Sequence, residues 1–189
     1  MDMAISLAKH NIPTLPNQES SLKIVRIKLD WQSYGSSGVA ADLDVSCFML
    51  TDAGKVRDND DFVLYNQPKS ACGSVKHSGD GNGKELFVHL DTVPADIVKL
   101  IFAATIHKFN IKRQDFGVVG KAHVRIFDHG TNEHLASIDL SGDAHQCTAI
   151  IFGDLIRQNA GWVFQDATDF KPFSGGLEQI ARQFGVAVD

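Results

Sequence analysis

The chain has 189 residues, 43% hydrophobic and 22% charged, which is typical of one soluble globular domain with a sizeable core. Its formal net charge is -5, whereas nucleic-acid-binding proteins normally carry clustered lysine and arginine, so we expect no nucleic-acid partner. The three cysteines are widely spaced without a C-x-x-C pair, which excludes a cysteine zinc knuckle and favours a reducing, cytoplasmic location. No apolar run approaches the roughly 20 residues of a membrane span, although peripheral membrane association stays open.

The first half of the chain alternates short apolar runs with turn residues, a pattern typical of a β protein. Residue alternation predicts strands over 22–31, 43–51 and 60–66. A turn signal, Asp-Ala-Gly, separates the last two of these strands, so we expect them to pair as a hairpin.

Two aspartates stand at the entrance of the strand over 43–51. Asp42 and Asp44 flank Leu43, so both carboxylates are expected on one face of the strand and the apolar side chains on the other. Two neighbouring carboxylates repel each other unless a cation lies between them. The predicted hairpin would bring Asp61 toward this pair, and the three side chains together suggest a site for a hard cation.

The second half of the chain continues the strand pattern. Strands are predicted over 85–93, 99–107, 121–129, 136–141, 147–158 and 161–168. Between the first two we expect one helical turn over 94–99, and a single helix over 94–106 remains the alternative. The last apolar pattern predicts a helix capped by Ser174 and ended by Gly185. Roughly eight to ten strands with such a helix predict a mostly β fold, a β-sandwich of two sheets with a few short helices.

Several motifs follow one another collinearly from Leu29 to the C-terminus and include DLDVSCFML, DDFVLYN, GSVKHSGD, FGDLIRQNAGWVF and SGGLEQIA. Together these motifs resemble the TerD family of tellurium-resistance and general stress proteins. The resemblance implies a single TerD-like domain over 1–189, with 1–20 as a divergent N-terminal segment, in the cytoplasm. It implies bound calcium and no catalytic activity, so we expect a noncatalytic stress-response protein whose partners are calcium and other tellurium-resistance or stress proteins.

The resemblance also assigns the calcium ligands. The family's acidic pair matches Asp42 and Asp44, and its later positions match Asp61, Asn66 and Asp80. Calcium takes roughly six to eight oxygens in irregular geometry, so this set suits it better than magnesium, which demands an octahedron. The family's acidic loop after Asp80 is shortened here to GNGKE, which favours a single bound ion.

Other interpretations of these residues stay open. Asp42 and Asp44 could be solvated strand ends, and the acidic run over 58–61 could be a polar turn. SGDGNG does not fit an EF-hand, because Ser78 and His89 stand where that loop requires Asp and Glu.

The alternative function uses the cysteines. In it the protein binds a small molecule or an oxyanion and handles redox chemistry through Cys72 or Cys147, because thiols are natural ligands for heavy-metal species. We expect His77, His107 and His123 to be structural rather than zinc ligands.

Overall fold

The computed structural model describes residues 22–33, 41–80, 83–108, 114–140, 147–158, 161–166 and 172–188. Within them two antiparallel sheets pack face to face, so the predicted β-sandwich is confirmed. The first sheet has the order β4-β5-β1-β7-β8 and contains β1 (Ile24–Ser33), β4 (Val75–Asp80), β5 (Gly83–His89), β7 (Val119–Asp128) and β8 (His134–Asp139). The second has the order β10-β9-β6-β2-β3 and contains β2 (Leu43–Leu50), β3 (Phe62–Val63), β6 (Lys99–Ile106), β9 (Ala149–Gln158) and β10 (Gly161–Asp166), with β11 (Pro172–Phe173) paired to β9.

The second sheet is buried on both faces. Leu43, Val45 and Cys47 of β2 point into the core between the sheets. Phe48 and Leu50 of the same strand point to the opposite side, into a second apolar cluster. This explains why the sequence of β2 is largely apolar on both faces, because both sides of this sheet are covered by other parts of the protein.

A C-terminal helix, α1 (Gly176–Gln183), covers the outer face of the second sheet. Ile180 is fully buried, and the Phe184 ring lies 5.1 Å from the ring of Phe48. Gly185 follows the helix with φ of 83°, as the predicted helix end requires. The predicted cap at Ser174 is wrong, because the helix begins after Gly175, whose N–H donates to the Gln179 side chain at 3.0 Å.

A hydrogen-bonded turn lies within the segment 94–99, where a single turn is predicted: the N–H of Ile97 donates to the carbonyl of Pro94 at 3.0 Å. The strand β6 excludes the alternative of one helix over 94–106. A short 3-10 turn lies just before, at Leu90–Thr92. The guanidinium of Arg157 donates to the carbonyls of Val93, Pro94 and Ile97 at 3.0 Å each, which holds this segment against β9.

The strand predicted over 60–66 is shorter than expected. Only Phe62–Val63 pairs with β2, after which Leu64 and Gln67 bridge each other across a turn. The Gln67 amide donates to the carbonyls of Asn59 and Phe62 at 2.8 Å, which holds the chain in this compact loop. No helix in the described part of the chain is long and apolar enough to cross a bilayer.

Replacing Ile180 with Ala is expected to lower the free energy of unfolding by about 2–5 kcal/mol, because it leaves a cavity between α1 and the second sheet. Urea unfolding followed by circular dichroism measures the change. Arg182→Ala, at an exposed position of the same helix, is the control and should stay within about 0.5 kcal/mol. Equal losses in the two variants would contradict the packing of α1.

Candidate functional site

An open cavity of about 380 Å³ lies between α1 and the end of the second sheet where β2 begins and β6 ends. Its apolar wall is formed by Phe62, Leu64, Ile106, Leu177, Ala181 and Val188. Its polar groups include Asp44 and Asn66, two of the residues that the sequence predicts as calcium ligands. The structure therefore brings these two together on one concave surface.

Asp44 is the most unusual group on the cavity wall. It is only 6% exposed, and its side chain lies on the opposite face of β2 from Leu43 and Val45, as predicted. Its Oδ1 accepts from the backbone N–H of Val45 at 3.0 Å and lies 2.8 Å from Nε2 of His77. Its Oδ2 is buried and has no hydrogen-bond partner among the described residues. A buried carboxylate oxygen without a partner is unfavourable, so this atom is suited to meet a cation or a donor.

Asp42 lies next to this cavity, just before β2. It is half-buried, and its carbonyl accepts from the backbone N–H of His107 at 2.7 Å, which ties the start of β2 to the end of β6. Asp80 ends β4, the strand that also carries His77, and its side chain lies outside the described residues. The segment 81–82 of the shortened loop lies outside them too.

Asp61 lies elsewhere, in an ion pair. It is 1% exposed, and its carboxylate accepts from Nε and Nη2 of Arg57 at 2.7 and 2.8 Å. The hydrogen bond from Arg57 to Asp61 raises the pKa of the guanidinium further above its usual range. Asp61 therefore already has its countercharge.

The register of the hairpin keeps Asp61 away from Asp44. Phe62 pairs with Phe48, so Asp61 lies level with Met49 rather than with the start of β2. A strand rises about 3.3 Å per residue, which puts the backbones of Asp61 and Asp44 about 16 Å apart. The predicted hairpin is confirmed, but its consequence is wrong: in an antiparallel pair the start of the second strand lies beside the end of the first.

The described residues fit a calcium site in part. Among them no group of three or more His, Cys, Asp or Glu side chains is arranged to hold a metal ion. Asp44 and Asn66 offer carboxylate and amide oxygens of the kind that calcium takes, and one of these oxygens has no other partner. Asp61 does not fit, because Arg57 holds its carboxylate.

Sequence reasoning missed the contacts made by His77. The motif GSVKHSGD contains it, but β4 is absent from the predicted strands, so nothing indicated that this side chain reaches Asp44. The signal that could have found it is the alternation of Val75, His77 and Gly79 against polar neighbours, which is weak because glycine and serine interrupt it.

The cysteines differ from one another in environment. Cys47 and Cys147 are buried, and burial raises the pKa of both thiols. Cys72 is exposed, with hydroxyls of Ser70 and Ser74 at 3.4 and 3.0 Å from its sulfur. Partial burial acts to raise the pKa of Cys72, but the hydrogen bonds from the two serines outweigh it, so the pKa is lowered.

Comparison with known proteins decides the family. The model of the TerD domain matches residues 3–184. The chain belongs to the TerD domain family. The match confirms the resemblance found in the sequence and begins well before Leu29.

Relatives of the TerD family match over nearly the whole chain. The chain is 38% identical to "Tellurium resistance protein TerD" of Alcaligenes sp, over 97% of this chain and 98% of that protein. It is 40% identical to "General stress protein 16U" of Bacillus subtilis, over 98% of this chain and 100% of that protein. The crystal structure of a TerD homologue from Streptomyces coelicolor A3(2) matches with a TM-score of 0.70 at 20% identity, covering 85% of this chain and 96% of that one. That last likeness supports the fold.

Replacing Arg57 with Met is expected to lower the free energy of unfolding by about 3 kcal/mol, because it leaves the Asp61 carboxylate buried without a countercharge. Urea unfolding of the parent and variants measures the change. The double variant Arg57→Met, Asp61→Leu removes both charges and is expected to recover most of the loss. A double variant no more stable than Arg57→Met alone would contradict the pairing.

Proposed function

We propose that this TerD-family protein is a noncatalytic calcium-binding stress-response protein associated with tellurite resistance. Family membership and the names of the relatives support the association with tellurium resistance and general stress. The observation that carries the calcium proposal is made at Asp44, which lines a cavity together with Asn66 and whose buried Oδ2 has no partner among the described residues.

The ion binds at the end of the second sheet. Asp44 and Asn66 are its ligands from the cavity, and Asp42 is the neighbouring carboxylate at the entrance of β2. Asp80 is the remaining predicted ligand, on the strand whose His77 already contacts Asp44. Calcium here supplies positive charge to buried oxygens and adds no redox or bond-breaking chemistry. Asp61 becomes a ligand only if Arg57 leaves it.

Calcium then acts as a structural switch for a partner. An ion held between the start of β2 and the loop of Asn66 orders both segments, because ligands from separate segments are fixed in one geometry. We propose that the ordered surface is recognised by another stress-response or tellurium-resistance protein in the cytoplasm. The three cysteines are present as thiols, which supports a reducing compartment.

Calorimetric titration of the metal-free protein is expected to show one calcium ion per chain. Excess calcium should also raise the melting temperature, since a ligand at about 100 times its Kd stabilises the folded state by about 2.7 kcal/mol. Asp44→Asn should abolish both effects. Asp61→Asn is the matched control and should leave the stoichiometry unchanged. No heat and no melting shift at millimolar calcium, or equal loss in both variants, would refute the proposal.

A second candidate function is favoured by Cys72. From the sequence alone, Cys72 and Cys147 are equal candidates for binding an oxyanion or for redox chemistry. In the structure Cys72, unlike Cys147, combines exposure with a lowered pKa. A lowered pKa increases the thiolate fraction near neutral pH, and the thiolate is the nucleophile and the ligand of soft metals. In this version Cys72 meets the tellurium species directly.

Alkylation by iodoacetamide followed by mass spectrometry is expected to modify Cys72 first. The alkylation rate of Cys72 should increase with pH at a lower pH than that of an ordinary cysteine, because its pKa is lowered. Ser74→Ala should shift this increase to higher pH, because it removes a hydrogen bond to the thiolate. In cells Cys72→Ser should reduce survival in tellurite, and the buried Cys147→Ser is the matched control. Full survival of the Cys72→Ser cells would eliminate this candidate.

A further inference from the structure

The cavity beside α1 has more room and more apolar surface than a metal ion needs. Its volume of about 380 Å³ falls within the roughly 300–1,000 Å³ of small-molecule pockets. Leu64, Leu177 and Val188 form a wall that offers an ion no ligands. Such a combination of apolar wall and few polar groups is typical of a site for an organic ligand.

The charge on the cavity wall selects the ligand. Asp44 is more than nine-tenths buried, and one of its carboxylate oxygens has no partner among the described residues. Glu178 on α1 and Lys108 also line the cavity and both are exposed, so the buried charge on its wall is that of Asp44. A carboxylate or phosphate ligand would bring its charge against Asp44 in a partly desolvated site, where repulsion is strong. A cation gains from the same arrangement.

The cavity wall also carries hydrogen-bond acceptors beside the Asp44 carboxylate. Asn66 and Thr105 also line the cavity, and each carries a side-chain oxygen that can accept from an N–H donor. An ammonium group has several donors on one compact charge, so it can bond Asp44 and a second acceptor together. The apolar wall then receives the carbon skeleton.

From this geometry we propose that the cavity binds a small organic amine, with its ammonium group on Asp44 and a compact apolar body against Leu177 and Val188. The site goes beyond calcium binding and does not depend on it. Calcium and the amine are alternative cations for the same oxygen of Asp44, so each should exclude the other. A TerD-family chain with both properties would release one ligand when the other is abundant.

The test uses benzylammonium as the probe, on the full chain with calcium removed by a chelator. Two-dimensional NMR of ¹⁵N-labelled protein follows amide shifts during titration, with benzyl alcohol and benzoate as neutral and anionic controls of similar shape. We expect saturable shifts around the cavity with benzylammonium alone, and competition when calcium is added back. Equal binding of the alcohol, or no shift with the amine at millimolar concentration, overturns the proposal.

Three variants distinguish the contribution of the Asp44 charge to amine binding from that of the cavity. Asp44→Asn removes the charge with little change in shape and should weaken amine binding about tenfold or more. Leu177→Trp, at a partly exposed position of α1, should fill the cavity and block the amine while calcium still binds. Asp91→Asn changes one exposed charge away from the cavity and should bind like the parent. Unchanged amine affinity in both Asp44→Asn and Leu177→Trp would overturn the site, whatever the calcium titration shows.

Discussion

Burial of the second sheet on both faces is the constraint on which the rest of the structure depends. Every residue of β2 is buried, because the first sheet covers one face and α1 with its neighbours covers the other. Apolar side chains such as Phe48 satisfy this environment by packing. A charged residue in the same strand has no such option, so the burial of Asp44 is unfavourable unless charge or donors compensate for it.

The two buried carboxylates among the described residues meet that requirement differently. Asp61 is held by two nitrogens of Arg57 from its own loop, which satisfies the carboxylate within the fold. Asp44 receives one side-chain contact, from His77, and one oxygen is left over beside a cavity. The first arrangement is complete without a ligand. The second leaves one oxygen without a partner among the described residues, so the acidic residues that the sequence grouped together lie in different environments.

Much of the fold could be predicted because it follows from local patterns. Alternation located most of the strands, and the helical spacing of Leu177, Ile180 and Phe184 located α1. Contacts between distant segments could not be predicted. Arg157 from β9 holds the carbonyls around Pro94, and no pattern near residue 94 encodes that contact. Local signals also could not place α1 over the start of β2, so the cavity was not foreseen.

The prediction of the site was correct for the face of β2 and incorrect for the hairpin geometry. Alternation correctly put Asp44 opposite Leu43, a relation that depends on one strand alone. The position of Asp61 depends on the antiparallel register, which places it beside Met49 at the far end of β2. Motif spacing along the chain does not contain this information, since the register decides which residues of two antiparallel strands lie opposite each other.

An unsatisfied oxygen at Asp44 has an energetic consequence for any ligand. Leaving a buried acceptor unpaired costs about 1–3 kcal/mol of stability in the ligand-free protein. A cation that binds there removes this cost, so part of its affinity comes from relief of a penalty already present in the fold. An asparagine at the same position would lower the penalty and the affinity together. A change at this oxygen that stabilises the ligand-free protein is therefore expected to weaken the binding of a cation there.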